Sequence, residues 1–384
     1  MPSHSSPPHR YLGAILPLLL LTLGIVTTPA LASVPKVKVA APIHHVFVIV
    51  LENEPYQASF GKHSPAPYLA KVLPAKGALL KQYYAIGHYS LDNYIAMVSG
   101  QAPNAATQND CPVYSEFKLS SSTPGSYDQA LGQGCIYPSW VKTVANQLQA
   151  KGDTWKGYFE DMGRDLKRES ATCAHVPIGA KDWTEHAAAN DQYAAKHNPF
   201  VYFHSIIDNQ ANCDTHVVNL AQLKTDLRSI RTTPNYAFIV PDLCHDGHNA
   251  PCANGQPGGL VSVNQFLKVW VPKILAAPAF RKDGLLLITF DEGSASDGRA
   301  CCHEMKLPGG PKPGRLGPGG GRIGAVAISP FIRPGTVSEV PYNHYSFLRT
   351  VEDFFGLSHL GYAATPGLRT FGRDVFTGAH RKSP

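Results

Sequence analysis

The sequence predicts an α/β fold, alkaline-phosphatase-like in kind, with a mostly parallel sheet sandwiched by helices. Three observations lead there. Short β-branched runs alternate with amphipathic segments along the chain. These runs are apolar at nearly every position, as strands covered on both faces are. Acidic, amide and imidazole residues follow several of the runs directly, as they do where a parallel sheet builds a site at the carboxyl ends of its strands.

Each element has its own signal. Residues 46–51 read as the first buried strand. Leu91, Tyr94, Ile95 and Val98 share one face of a helix that Gly100 ends. Trp140, Val144 and Leu148 form a second helical face, with Ser139 as its cap and Gly152 at its end. Residues 200–203 read as a strand, and Leu220, Leu223 and Leu227 as a third helical face. Residues 236–240, 285–290 and 323–329 read as further strands. Phe347, Leu348, Val351 and Phe355 mark a closing helix. The polar stretch 101–135 and the Pro/Gly-rich stretch 307–321 read as surface loops of one domain.

Composition narrows the class. The chain has 384 residues, with Lys+Arg 34 against Asp+Glu 28 and a formal net charge of +6. Hydrophobic residues make up 43% and charged residues 16%, which excludes a disordered chain or a coiled coil. No Lys/Arg run reaches five residues, so nucleic acid is not an expected partner. Arg10 precedes an apolar run from residue 11 to 26, and Ala30-Leu31-Ala32 follows. This pattern predicts a secretory signal over residues 1–32, with 33–384 as a single domain, secreted or periplasmic and without a stable membrane anchor. The eight cysteines then read as disulfides. Cys244 with Cys252 is the expected local pair. The adjacent Cys301 and Cys302 are expected to bond elsewhere, because a vicinal bridge is strained.

The strand ends map a site. The first strand runs into Glu52-Asn53, and the strand at 285–290 into Asp291-Glu292. His204 and Asp208 follow residues 200–203; His245, Asp246 and His248 follow 236–240. A carboxylate beside a buried strand is costly unless it is paired or bound to a metal. The oxygen donors Glu52, Asn53, Asp291 and Glu292 suit Ca²⁺, Mg²⁺ or Mn²⁺; imidazoles would suit Zn²⁺ or Fe better. Ser90 stands at the start of the first helix. It could simply cap that helix. A serine there, touching a metal, could also lose its proton and attack phosphorus, with Asn93 one turn on donating to a phosphoryl oxygen.

Taken in order, these segments resemble the bacterial phosphoesterase family of the alkaline-phosphatase superfamily. The resemblance rests on His45-Val-Phe-Val-Ile-Val-Leu-Glu52-Asn53-Glu, His88-Tyr-Ser90-Leu-Asp-Asn93-Tyr-Ile-Ala-Met-Val-Ser-Gly100 and Asn198-Pro-Phe-Val-Tyr-Phe-His204. Pro241-Asp-Leu-Cys-His-Asp246-Gly-His248, Leu287-Ile-Thr-Phe-Asp291-Glu292-Gly, Gly321-Arg-Ile-Gly to Ile328-Ser-Pro-Phe, and Tyr342-Asn-His344-Tyr-Ser-Phe-Leu continue it. It implies a secreted acid phosphatase or phosphatidylinositol-3-phosphatase type of enzyme. The substrate would be a small phosphomonoester or a phosphoinositide. A divalent ion (Ca, Mg, Mn or Zn) would be held by Glu52, Asn53, Ser90, Asp291 and Glu292, and Ser90 would be the nucleophile. His204 is the expected proton donor to the leaving group or a substrate contact, with Asp208 orienting it. His245, Asp246 and His248 are expected to line the phosphate pocket or bind a second ion, and His344 is a further expected substrate contact. A phospholipase C-type phosphodiesterase is the nearest alternative, although Gly293-Ser-Ala-Ser-Asp297-Gly-Arg-Ala-Cys301-Cys302-His303 departs from that type's pattern. A non-enzymatic secreted metal-binding protein is the remote one.

Overall fold

A computed structural model describes residues 42–302 and 319–377. The signal segment 1–32, His303 and most of the 307–321 loop lie outside the described residues. Among the described residues, eight strands form one sheet. In chain order they are β1 (His45–Leu51), β2 (Ala78–Leu80), β3 (Trp155–Phe159), β4 (Val217–Asn219), β5 (Tyr236–Val240), β6 (Gly284–Phe290), β7 (Ala325–Ile328) and β8 (Thr336–Ser338). Their spatial order is β8-β2-β7-β6-β1-β5-β3-β4. The run from β6 through β1, β5 and β3 to β4 is parallel throughout, while β7 runs antiparallel to β6 and β2. The expected fold class is what the chain adopts.

The centre of the sheet explains its own composition. All seven residues of β1, all five of β5 and all seven of β6 are buried, so these strands are mostly apolar, and His45 and Thr289 are hydrogen-bonded, to Asp283 and to the Gly324 carbonyl. Four helices of eight residues or more pack with the sheet: α1 (Ser90–Ser99), α2 (Val144–Lys151), α3 (Gly259–Ala276) and α4 (His344–Phe355). Among the described residues, no helix is long and apolar enough to cross a membrane.

Register places the site. Leu51 stands opposite Phe290 in the parallel β1–β6 pair, so Glu52 and Asp291 leave the sheet side by side. The N–H of Asp291 donates to the Leu51 carbonyl at 2.7 Å, and that of Glu52 to the Asp246 carbonyl at 2.8 Å. Three strand ends therefore meet at one edge.

Several expectations are corrected. Residues 200–203 are not a strand: Pro199–Tyr202 forms a 3₁₀ turn, because Pro199 fixes φ and has no N–H for a ladder. The second helix starts after Thr143, not Ser139. Thr143 and Asn146 bond reciprocally across the first turn, and Trp140 is left outside at 38% exposure. Leu220, Leu223 and Leu227 sit on a 3₁₀ turn followed by a single helical turn, Leu223–Asp226. The strand β3 and the longest helix, α3, have weak signals: β3 carries Lys156 and Gly157, and α3 contains Pro272. Cys244 bonds to Cys252 as expected. Cys301 and Cys302 bond to each other, contrary to expectation. Cys111 pairs with Cys135 and Cys173 with Cys213, so each is left with its neighbour as partner.

Candidate active site

The segment before α1 is built to present Ser90. Tyr89 holds φ at +117°, a conformation side chains rarely adopt, and such strain persists only where neighbours enforce it. Asn93 supplies the enforcement. Its Oδ1 accepts from the N–H groups of Ile86 (2.8 Å) and Gly87 (3.2 Å), and its Nδ2 donates to the carbonyls of Gly87 (3.0 Å) and Tyr89 (2.9 Å). The amide of Asn93 is thus engaged by the loop that leads into Ser90. On the other side, His88 pairs with Glu292, which also accepts from the Tyr89 N–H at 3.2 Å.

Ser90 is 2% exposed, and its hydroxyl donates to Glu52 Oε2 at 2.8 Å. The other oxygen, Glu52 Oε1, accepts from the Tyr94 hydroxyl at 2.7 Å. Asp291 accepts from the Asn53 N–H at 3.0 Å, and the Asn53 side chain lies 3.4 Å from Glu52. The chain thus brings Glu52, Asn53, Ser90 and Asp291 together. Glu292 faces the same segment but is occupied by His88 and Tyr89.

Sequence reading missed His197. This buried imidazole lies 3.3 Å from Glu52 Oε2 through Nε2 and 3.2 Å from Asp246 Oδ2 through Nδ1. Its signal was present: it immediately precedes the Asn198-Pro segment quoted above. Glu52, His197 and His248 each offer an atom within 4.8 Å of the others. Lys196, 5% exposed, stands next to them with Nζ 3.2 Å from Asp110, whose other oxygen accepts the Leu91 N–H at 3.0 Å.

Other expected residues fall elsewhere. His204 bonds to Glu116 (2.8 Å) and to Asp208 (2.7 Å), two carboxylates that are 52% and 60% exposed. Because residues 199–202 turn instead of extending, His204 leaves that turn into a surface ion-pair cluster. His245 pairs with Glu160 at 3.0 Å and Asp242 at 3.2 Å. His344 is fully buried; its Nε2–H donates to the Asp291 carbonyl at 2.7 Å, so it supports Asp291 from beneath and has no access to a substrate.

Electrostatics single out the same cluster. Burial pushes Glu52 well above the usual carboxylate range, and the charges of Asp291 and Asp246 push the same way. Burial likewise raises Asp291 to about 7, with Glu292 adding to it, and raises Asp246. Burial lowers His197 well below its ordinary value. The buried Asp291 Oδ2, Asp246 Oδ2 and His197 Nε2 have no hydrogen-bond partner. Three buried carboxylates, two of them with an unmatched acceptor oxygen, and an imidazole among them fit a divalent cation: such a set is costly alone, and an ion offsets its charge.

A probable acid phosphatase of Kluyveromyces lactis is 26% identical over 84% of this chain and 60% of its own length. A phosphatidylinositol-3-phosphatase of Mycobacterium tuberculosis is 25% identical over 90% of both chains. The chain spans little more than half the length of several curated relatives, such as 60% of the Kluyveromyces protein and 55% of an Aspergillus fumigatus acid phosphatase. Among solved structures, a protein of the alkaline phosphatase superfamily from Vibrio parahaemolyticus aligns over 82% of this chain and 67% of that one, at 13% identity and a TM-score of 0.43. The model of the Phosphoesterase family matches residues 64–358. That match takes in α1, β5, β6 and α4, and the chain belongs to the phosphoesterase family.

Proposed function

We propose that this protein hydrolyses phosphate monoesters, phosphoinositides among them, with Ser90 as nucleophile. The observation that carries the reading is the Ser90 hydroxyl, buried at the start of α1 and bonded to Glu52 in a cluster where the buried carboxylates Asp291 and Asp246 each keep an unmatched oxygen. Glu52, Asp291, Asp246 and His197 would hold a divalent cation, with Asn53 as a further oxygen donor. The chemistry such an ion supplies when bound is charge neutralisation and a lower serine pKa.

The chain's own groups do the rest. Glu52 Oε2 fixes the Ser90 hydroxyl and accepts its proton as Oγ attacks phosphorus. The free N–H groups at the start of α1 favour the gathering negative charge. His248, half-buried and bordering the cluster, takes over the role expected of His204 and protonates the departing alcohol oxygen. Water then cleaves the phosphoserine and releases inorganic phosphate. Glu292 and His88 hold the strained Tyr89, and His344 holds Asp291. The names of the acid phosphatase and phosphatidylinositol-3-phosphatase relatives support this substrate class. Four disulfides support an oxidising compartment, hence export.

The test is Ser90→Ala, assayed on p-nitrophenyl phosphate alongside elemental analysis of the purified protein. The expected result is a loss of turnover of at least ~10³-fold with an unchanged melting curve. A chelator should remove both the bound ion and the wild-type activity. An active Ser90→Ala protein would end the nucleophile assignment.

A further inference from the structure

The two most exposed large apolar side chains among the described residues are Leu166, at 72%, and Trp183, at 61%. They are not scattered. Arg168 donates to the Trp183 carbonyl at 3.1 Å and the His186 carbonyl at 2.7 Å, which ties the Leu166 turn to the Trp183 segment. That segment in turn pairs with residues 112–114. The N–H of Asp182 donates to the Pro112 carbonyl at 3.0 Å, and that of Tyr114 to the Ala180 carbonyl at 2.9 Å. Val113 stands opposite Lys181 across an antiparallel bridge. Burial alternates along the segment: Lys181 and Trp183 are exposed, Asp182 and Thr184 buried. Strand periodicity therefore puts Val113, Lys181 and Trp183 on one outer face. Lys181 Nζ lies 5.6 Å from the centre of the Trp183 ring.

The charge around these side chains is positive. Arg164, Lys167 and Lys181 are exposed. Opposing them are three half-buried acids: Asp165, whose carboxylate accepts the Lys167 N–H at 3.0 Å, Asp161, which already pairs with Arg164 at 3.2 Å, and Glu185, which pairs with Lys196; the exposed charges here are all basic. Asp182 points inward, bonded to Thr184. The patch also borders the catalytic cluster. Glu185, two residues beyond Trp183, lies 3.5 Å from Lys196, the neighbour of His197.

We propose that this rim docks the enzyme peripherally on an anionic lipid bilayer, with Trp183 and Leu166 entering the headgroup region and the lysines meeting lipid phosphates. An indole beside long basic side chains suits that boundary, since the ring is apolar with a polar edge and the cations keep their heads in water. Anionic lipid complements the excess of cations, whereas a neutral surface would leave them without reward. This goes beyond the phosphatase reading, and rests on it only for what the docked enzyme then cleaves.

The experiment is co-sedimentation of the full chain with phosphatidylcholine vesicles, with and without phosphatidylglycerol, beside turnover of soluble p-nitrophenyl phosphate. Wild type should sediment with the anionic vesicles and not with the neutral ones. Leu166→Ser with Trp183→Ser should weaken vesicle association by about tenfold or more. Lys181→Glu, which keeps the apolar side chains, should weaken it by about fivefold or more. Turnover of the soluble ester should stay unchanged in every variant. Equal sedimentation of wild type and variants, or none with anionic vesicles, overturns the proposal. Capture by a protein target that survives the same substitutions, with no vesicle binding, overturns it too. Wild type that binds vesicles but leaves p-nitrophenyl phosphate intact contradicts the phosphatase reading and upholds the docking surface.

Discussion

At the scale of single residues, two histidines separate the two ways a sequence can point to chemistry. His204 follows an apolar run and has an acidic residue four positions on, yet its ring sits among exposed carboxylates. Burial pulls its pKa down, but its hydrogen bonds to Asp208 and Glu116 outweigh that and leave it raised. Exposed pairs of this kind contribute little. His248 has a plainer context but borders Glu52 and His197. The expected outcome is that His204→Ala keeps p-nitrophenyl phosphate turnover within about twofold. His248→Ala should lower it by about 10²-fold or more. Steady-state kinetics on both variants checks this, and the reverse ranking would return the proton-donor role to His204.

Elements show how a helix boundary is made to serve a site. α1 ends at Gly100, whose φ of +68° is a left-handed cap and whose N–H returns to Ala96. A Cβ there would also lie 2.2 Å from the Leu360 carbonyl oxygen, while the Tyr362 N–H donates to the Gly100 carbonyl at 2.8 Å. The end of α1 is thereby tied to the segment after α4. Gly100→Ala should cost ~2 kcal/mol or more from backbone strain and the clash together, read by denaturant unfolding. Activity per folded molecule should persist, because Ser90 is held from the other end of the helix by Asn93 and Glu52.

At the scale of the whole molecule, burial of acids couples stability to pH. Glu352 on α4 is fully buried, accepts the Leu360 N–H through Oε1, and has no partner at Oε2. Burial raises its pKa to about 9. A carboxyl held above its unfolded value of 4.5 favours folding in its protonated form. Its contribution is therefore complete below about pH 4.5 and is lost as pH rises toward 9. Glu352→Gln keeps the neutral shape and removes this dependence. The variant should match wild type in melting temperature near pH 5 and exceed it by roughly a few degrees near pH 8. A wild type that gains no more than the variant on acidification would contradict the argument.

Legibility followed the same division. The mostly apolar strands β1, β5 and β6 could be read because few polar side chains are tolerated between two covering layers, and the residues just past them could be read because a parallel sheet exposes those ends. Cys244 and Cys252 could be paired because few residues separate them. By contrast, β3 carries Lys156 and Gly157, and residues 200–203 look like a strand until Pro199 is weighed.

The sequence by itself determined the parallel sheet, the strand-end carboxylates Glu52 and Asp291, and the serine at the start of a helix. These follow from local pattern and from the rule that buried strands must be apolar throughout. Only the tertiary structure decided which imidazoles join them. His197 arrives from a turn and His204 departs from the same one, because the direction of a side chain beside Pro199 depends on contacts with Glu52, Asp246 and Glu116 that lie 49 to 145 residues away in the chain. Periodicity carries no information about such distant partners, whereas packing fixes them.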